Sequence, residues 1–290
     1  MIPDAVAVVT YPGHCITTVL TIKNLIELTN WQVPVYLFID DQGDQYKNWS
    51  GDYLKDIQQY YSSCFPEVQF RYVLFSEFGF SHIWDGWLRQ QLVKLNLDLF
   101  LPGKLWYVTD GDVYNKELLS YGSTPFNYVP DRNKLIHAQN RTYLQHILKT
   151  PDILLEHNGR LLFTHHAPFR WVEKNILIRL REYVSKVQVN DFNLVHIQLM
   201  REERIIGFGP TDESLSMTEW DLIEVYRANI LNEDIGLEYW PLDTDADLEN
   251  QSKFWTFFGT DRDIDPSWFE QFNINVPADL QQKIKRISRT

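Results

Sequence analysis

The stretch that most limits what this chain can become is Lys104–Tyr114, where four consecutive apolar residues, Leu105 to Val108, run through Thr109 into Asp110-Gly111-Asp112. A segment apolar at every position, rather than at every second one, predicts a strand covered on both faces in a mostly parallel sheet. In such sheets ligands gather beyond the carboxyl ends of the strands, and this strand ends in two acids. Carboxylates one residue apart repel each other unless a cation lies between them, and hard oxygen donors suit magnesium or manganese. A divalent metal carrying phosphate is the expected cargo. Gly111 leaves room for a tight turn and a close backbone approach. A calcium loop does not fit, because Tyr114 stands at the fifth position of the ligand pattern and Asn115 where a glycine is needed.

The rest of the chain alternates in the same way. Ala5–Thr10 is an unbroken β-prone run followed by Tyr11-Pro12-Gly13-His14 and then by apolar residues at helical spacing from Ile16 to Leu28. Val33–Ile39 repeats the buried-strand pattern and again ends in acids, Asp40 and Asp41. Asp52–Tyr61 predicts a short helix, Val68–Phe75 a third strand, and Trp84–Leu99 an amphipathic helix that leads into the strand of the Asp-x-Asp. Beyond it, Phe126–Val129 and Lys134–His137 predict short strands, and Thr142–Lys149 and Pro168–Val187 helices. Ser216-Met217-Thr218-Glu219 is a capping box opening a helix that runs to about Leu231. Strands alternating with helices at this rhythm predict an α/β layered domain around a mostly parallel sheet.

With 290 residues, 44% hydrophobic and 14% aromatic, the chain can bury a large core. Its net charge is −12, and the 59 residues from Asn232 carry 12 acidic and 6 basic side chains. That balance argues against nucleic acid as a partner, since phosphate backbones are bound by basic patches. Cys15 and Cys64 form no framework and have no neighbours at metal-ligand spacing. The N-terminus lacks a basic region, and Ala5–Thr10 is too short for a signal core or a membrane span. The expectation is a cytoplasmic protein without a membrane span.

Five features taken together resemble glycosyltransferases of the GT-A fold, in particular a microbial and viral subgroup. They are a first strand ending Val9-Thr10-Tyr11-Pro12, a second ending Ile39-Asp40-Asp41, the helix Gly86-Trp87-Leu88-Arg89-Gln90-Gln91-Leu92-Val93-Lys94-Leu95, the strand-borne Asp110-Gly111-Asp112, and the later Thr218-Glu219-Trp220-Asp221. The resemblance covers roughly residues 1–232. It implies a Rossmann-type layered domain, a nucleotide-sugar donor (a UDP-sugar, with UDP-glucose foremost), an unknown glycan or other hydroxyl acceptor, and manganese or magnesium bridging the diphosphate to the Asp-x-Asp. Asp112 would ligate the metal directly, and Asp110 would reach it through water or contact ribose. Thr10, Tyr11 and Asp40 would surround base and ribose, Arg89 would touch the diphosphate, and Gly111 would line the donor. Glu219, with Asp221 beside it, would serve the acceptor, and His165 and His166 would line the acceptor cleft. Many such enzymes draw a third metal ligand, often a histidine, from near the C-terminus, whereas the last histidine here is His196.

The implied organisation is a transferase domain over residues 1–232, with a donor half over 1–115 and an acceptor half over 116–232. An acidic, aromatic-rich extension, residues 233–290, would fold back on it. Several readings of the residues stay open. An Asp-x-Asp phosphatase would carry covalent phosphate on Asp110, and a degenerate carbohydrate-binding protein would keep the fold without turnover. Asp40 and Asp41 also suit a solvated turn, Arg89 and Lys94 a solvated helix face, Glu219 a helix cap, and His165 and His166 ordinary structural positions.

Overall fold

The computed structural model describes residues 1–42, 51–80, 83, 86–128, 142–150, 156–157, 160–163, 169–207, 219–239, 254–256, 269–270, 273–278 and 280. Its centre is a five-stranded sheet of β1 (Ala5–Thr10), β2 (Val35–Ile39), β3 (Phe70–Leu74), β4 (Leu105–Asp110) and β9 (Phe169–Glu173), in the order β3-β2-β1-β4-β9. The first four strands are parallel and β9 is antiparallel to β4. This is the mixed α/β architecture with a central, mostly parallel sheet that the alternating pattern predicts.

Alternation along β1 sends side chains to two separate cores, which is why the strand is apolar throughout. Ala5, Ala7 and Val9 pack with Phe38, Trp106 and Val108 against one helical layer. That layer is built from α3 (Gly86–Lys94), α5 (Lys174–Gln188), α6 (Phe192–Gly207) and α7 (Glu219–Val225), through Leu92, Leu180, Val195 and Trp220 among others. Val6 and Val8 pack with Leu37, Ile39 and Tyr107 on the other face, against α1 (Thr17–Thr29) and α2 (Gly51–Cys64). A further helix, α4, spans residues 142–148.

The remaining strands are β5 (Val113–Asn115), β6 (Ser123–Tyr128), β7 (Glu156–His157), β8 (Arg160–Phe163), β10 (Gly236–Tyr239) and β11 (Phe254–Thr256). They form a four-stranded sheet, β10-β6-β8-β7, and a pair, β11-β5. Through β11 the late chain returns to the strand that follows Asp112, with Thr256 opposite Val113.

The short strands β5, β7, β8, β10 and β11 have no counterpart in the sequence reading, and three helical segments depart from it. The helix expected from Pro168 begins only at Lys174, because Phe169–Glu173 pairs with the open edge of β4, and pairing overrides the helical spacing of the segment. The helix expected over Trp84–Leu99 is α3 followed by a separate 3-10 turn at Leu97–Leu99, after Asn96 turns its amide onto the Leu92 carbonyl at 2.7 Å. The sequence reading has no counterpart of α6. The chain reverses at Val189, which takes the left-handed conformation (φ 53°), and Asp191 accepts the Leu194 N–H at 3.1 Å to open the helix. The late helix runs from Glu219 and loosens into a π turn at Tyr226–Ile230. The strand expected at Lys134–His137 and the residues Ser216–Thr218 of the capping box lie outside the described residues. Both cysteines are free thiols. Among the described residues no helix is long and apolar enough to cross a membrane.

Candidate functional site

The chain lays down β1, β2 and β3 in one direction and then returns to the other side of β1 as β4. The carboxyl ends of β1 and β4 therefore flank the topological switch point, where ligands of such sheets bind. Val9 lies opposite Asp110, and the Gly111 N–H donates to the Val9 carbonyl at 2.8 Å, so the Asp-x-Asp begins beside Thr10.

One face of α1 holds the turn in place. Thr18, Thr21 and Asn24 are three residues apart and share that face. Thr21 Oγ1 donates to the Gly111 carbonyl at 2.9 Å and accepts the Val113 N–H at 3.1 Å. The Asn24 side-chain amide exchanges two hydrogen bonds with the Asn115 backbone, at 2.9 and 2.7 Å. Thr18 Oγ1 donates to the His14 carbonyl at 2.7 Å and lies 2.9 Å from Thr10 Oγ1. These buried hydroxyls and amides thus satisfy backbone groups that no ladder reaches. Gly111 is required by space rather than by an unusual φ. A Cβ there would stand 2.4 Å from Thr18 Oγ1 and 2.9 Å from Thr10 Cβ.

The acids do not stand alone. Lys94, the last residue of α3, is buried and places Nζ 2.8 Å from Asp110 Oδ1 and 2.8 Å from Glu219 Oε1, with the Trp220 ring centroid at 5.3 Å. Burial opposes its charge, but Asp110 and Glu219 outweigh burial and raise the ammonium's pKa. Burial raises Asp110, with Lys94 pulling the other way. Asp112, whose side chain is 25% exposed, is pushed up to about 7 by burial and then by the charge of Asp110. A cation against Asp112 would favour the ionised form and reverse that shift.

The neighbouring loop supplies another donor. Pro12–His14 form a 3-10 turn closed by the His14 N–H on the Tyr11 carbonyl at 2.9 Å and held by the Tyr53 hydroxyl on the Pro12 carbonyl at 3.0 Å. His14 Nε2 is hydrogen-bonded to the Tyr11 hydroxyl, and Nδ1 lies 3.9 Å from Asp112 Oδ2.

The other nominated residues are distributed as follows. Arg89 is buried and grips Asp40 in a fork, Nε–Oδ1 at 3.0 Å and Nη2–Oδ2 at 2.8 Å, while Nη1 donates to the Ile83 carbonyl at 2.5 Å. Its guanidinium faces the end of β2, and neither Arg89 nor Lys94 lies on a solvated face. Asp41 accepts the backbone N–H and hydroxyl of Ser76 at 3.0 and 2.7 Å, tying β2 to the turn after β3. Glu219 and Asp221 are both buried. Arg170 lies in the same charged cluster, its Nε 4.0 Å from Glu224, and burial lowers its pKa to about 10 against the pull of Glu224, Asp221 and Glu219. His196 is buried in the helical layer against Phe192, with Nδ1 2.6 Å from the Tyr143 hydroxyl. His165 and His166 lie outside the described residues.

Sequence reasoning nominated neither Lys94 as a partner of Asp110 nor His14 as a neighbour of Asp112. The signal for the first is a lone cation inside Leu92-Val93-Lys94-Leu95, and for the second an imidazole just past a strand end at Pro12-Gly13. As a donor set for a divalent cation, Asp112 offers a partly exposed carboxylate with an imidazole across from it, whereas one Asp110 oxygen holds Lys94. Among the described residues no group of three His, Cys, Asp or Glu could hold an ion by itself. Such a set fits a divalent ion that takes its remaining ligands from water and phosphate.

No family model matches the chain, and no curated protein matches it. Among solved structures it is similar to the galactosyltransferase LgtC in complex with donor and acceptor sugar analogs, at 9% identity and a TM-score of 0.40 over 98% of this chain and 95% of that one. It is also similar to an active-site mutant of LgtC, at 10% and 0.41 over 98% and 95%. A third is the bifunctional glycosyltransferase WbbM in its apo form, at 11% and 0.44, over 99% of this chain but 52% of that one. Overlaps of that size carry no conclusion about donor, acceptor or catalytic residues.

Proposed function

We propose that the protein is a GT-A-type glycosyltransferase that moves a hexosyl group from a nucleotide sugar, UDP-glucose foremost, to a hydroxyl acceptor with the help of a divalent metal. The observation that carries the reading is the pair Asp110 and Asp112 at the C-terminal end of β4, beside the β1 end at the switch point of the sheet. Nucleotide and diphosphate would lie across the ends of β1 and β4, with Thr10 and Tyr11 beside the base and Asp112 turned to the metal. The metal, when bound, would offset charge developing on the leaving diphosphate. Asp110 would act from behind, fixed by Lys94, and Asp40 would shape the donor wall with Arg89 clamped to it. Glu219 and Asp221 are proposed for the acceptor side, Glu219 through its contact with Lys94. Residues 1–232 would form the catalytic unit and residues 233–290 an extension paired onto it through β10 and β11.

A thermal-shift panel of nucleotide sugars, with and without manganese, tests the reading. A ligand present at 100 times its Kd adds about 2.7 kcal/mol to stability. The expected result is a rise in Tm with UDP-sugars in manganese and none when the metal is chelated. Stronger stabilisation by GDP- or CMP-sugars than by every UDP-sugar would refute the donor assignment, and covalent phosphate on Asp110 would favour a phosphatase.

A further inference from the structure

Asp110 and Asp112 are adjacent in the sequence pattern but differ in their partners. Asp110 Oδ1 holds the buried ammonium of Lys94, which is itself fixed on its far side by Glu219. A dication seated on that oxygen would face a positive charge that cannot withdraw, because Lys94 is packed under Trp220. Asp112 faces the other way, toward the Pro12–His14 turn. Its Oδ2 lies 3.9 Å from His14 Nδ1, too far for a hydrogen bond. That separation lies between the ~3.0 Å of neighbouring and the ~4.2 Å of opposite donors about 2.1 Å from one octahedral cation, so a shift of under about 1 Å brings the two to the spacing of neighbouring ligands.

The imidazole is held for this. Tyr11 lies against it, with ring centroids 4.0 Å apart and the planes tilted by 35°, and its hydroxyl is bonded to Nε2. If Nε2–H donates to that hydroxyl, Nδ1 carries the lone pair, and a partner on the second nitrogen is how ligating histidines are fixed. The turn that carries the ring is pinned by Tyr53 on the Pro12 carbonyl and by Thr18 on the His14 carbonyl.

We propose that His14 Nδ1 and Asp112 together form the protein's part of the divalent-metal site, with Asp110 held out of the first coordination sphere by Lys94. The inference rests on the metal-dependent transfer reading and goes beyond it by naming a nitrogen ligand from the β1 loop. Diphosphate oxygens and water complete the coordination. A nitrogen donor disfavours magnesium, which keeps to oxygen ligands, relative to manganese.

The test is pulsed EPR of the full chain with Mn2+ and UDP, reading the modulation that a directly bound imidazole nitrogen imposes on the metal signal, beside titration calorimetry of the same mixture. Wild-type protein should show the nitrogen modulation, and 15N-histidine labelling should change it. His14→Gln should abolish it, lower Mn2+ affinity at least about tenfold, since loss of even an outer-shell partner of a ligand costs roughly 10–100-fold, and narrow the preference for Mn2+ over Mg2+. Metal binding without nitrogen modulation, or with modulation that survives His14→Gln, overturns the His14 assignment and leaves metal-dependent transfer standing. Absence of any Mn2+ or UDP binding to the wild-type chain overturns both. Because the wild-type spectrum decides the first point, a variant that folds poorly does not protect the proposal.

Discussion

Lys94→Met removes the one ammonium between Asp110 and Glu219 while keeping most of the side chain's volume. Taking one partner from a buried ion pair costs about 3–5 kcal/mol, because the remaining charge is left uncompensated. Glu219 is 3% exposed, but the Asp110 side chain is 25% exposed and partly reached by water. The lower end, about 3 kcal/mol, is therefore expected, equivalent to roughly 6 °C in Tm for a chain of this size. The pH dependence has a definite sign. Burial already raises Asp110, and the substitution removes the Lys94 charge that opposes it. A carboxyl raised in the folded state weighs against folding as pH increases, and the penalty fades as pH falls toward the unfolded value. The deficit should be largest near pH 8 and smaller near pH 5, and adding Glu219→Gln to the variant should restore part of it. Calorimetric melting at both pH values measures this. A Tm within about 2 °C of wild type at each pH would refute the account of Lys94 as the charge that holds the two acids together.

Gly111→Ala should destabilise by about 1–3 kcal/mol, the cost of an overpacked site, since its Cβ would meet Thr18 Oγ1 at 2.4 Å; adding Thr18→Ala should recover part of this in urea melts, and full stability of the single variant would contradict the close approach. His196, lowered by burial to about 3 from 6.5, binds its proton better unfolded, so its contribution is flat above about pH 6.5 and falls by about 1.4 kcal/mol per unit below it. That is a loss of about 2 kcal/mol by pH 5, which should disappear in His196→Gln; equal pH slopes for the two chains would show that the ring is not the source. Glu219→Gln weakens the buried pair with Lys94 and should lower Tm; an acid needed at the acceptor loses in addition roughly 10²-fold in turnover at saturating donor, measured well below the variant's Tm, whereas near-wild-type turnover would leave Glu219 a structural partner only.

The central layers were readable because their pattern has few physical solutions. Ala5–Thr10, Val35–Ile39 and Leu105–Asp110 are apolar on both faces, and only a parallel sheet between helical layers buries such strands. The acids at Asp110 and Asp112 followed from where those strands end. What escaped depends on contacts between residues far apart in sequence. Phe169–Glu173 has spacing compatible with a helix, and its pairing with β4 is visible only once that edge is known to be open. Lys94 and Glu219 are 125 positions apart, and His14 lies 98 positions before Asp112; no local pattern encodes either meeting. The start of α6 was missed although Asn190-Asp191 before Phe192, Val195 and His196 is a legible capping signal.

The measurement closest to the central claim is the affinity for UDP in the presence and absence of manganese, by titration calorimetry, for wild type and Asp112→Asn. Wild type should bind UDP tightly only with the metal, and Asp112→Asn, with a Tm in the absence of ligand no lower than that of wild type, should lose at least about tenfold in affinity, or ~1.4 kcal/mol. Equal affinity in chelator, or an unweakened UDP–manganese complex in Asp112→Asn, would contradict the claim.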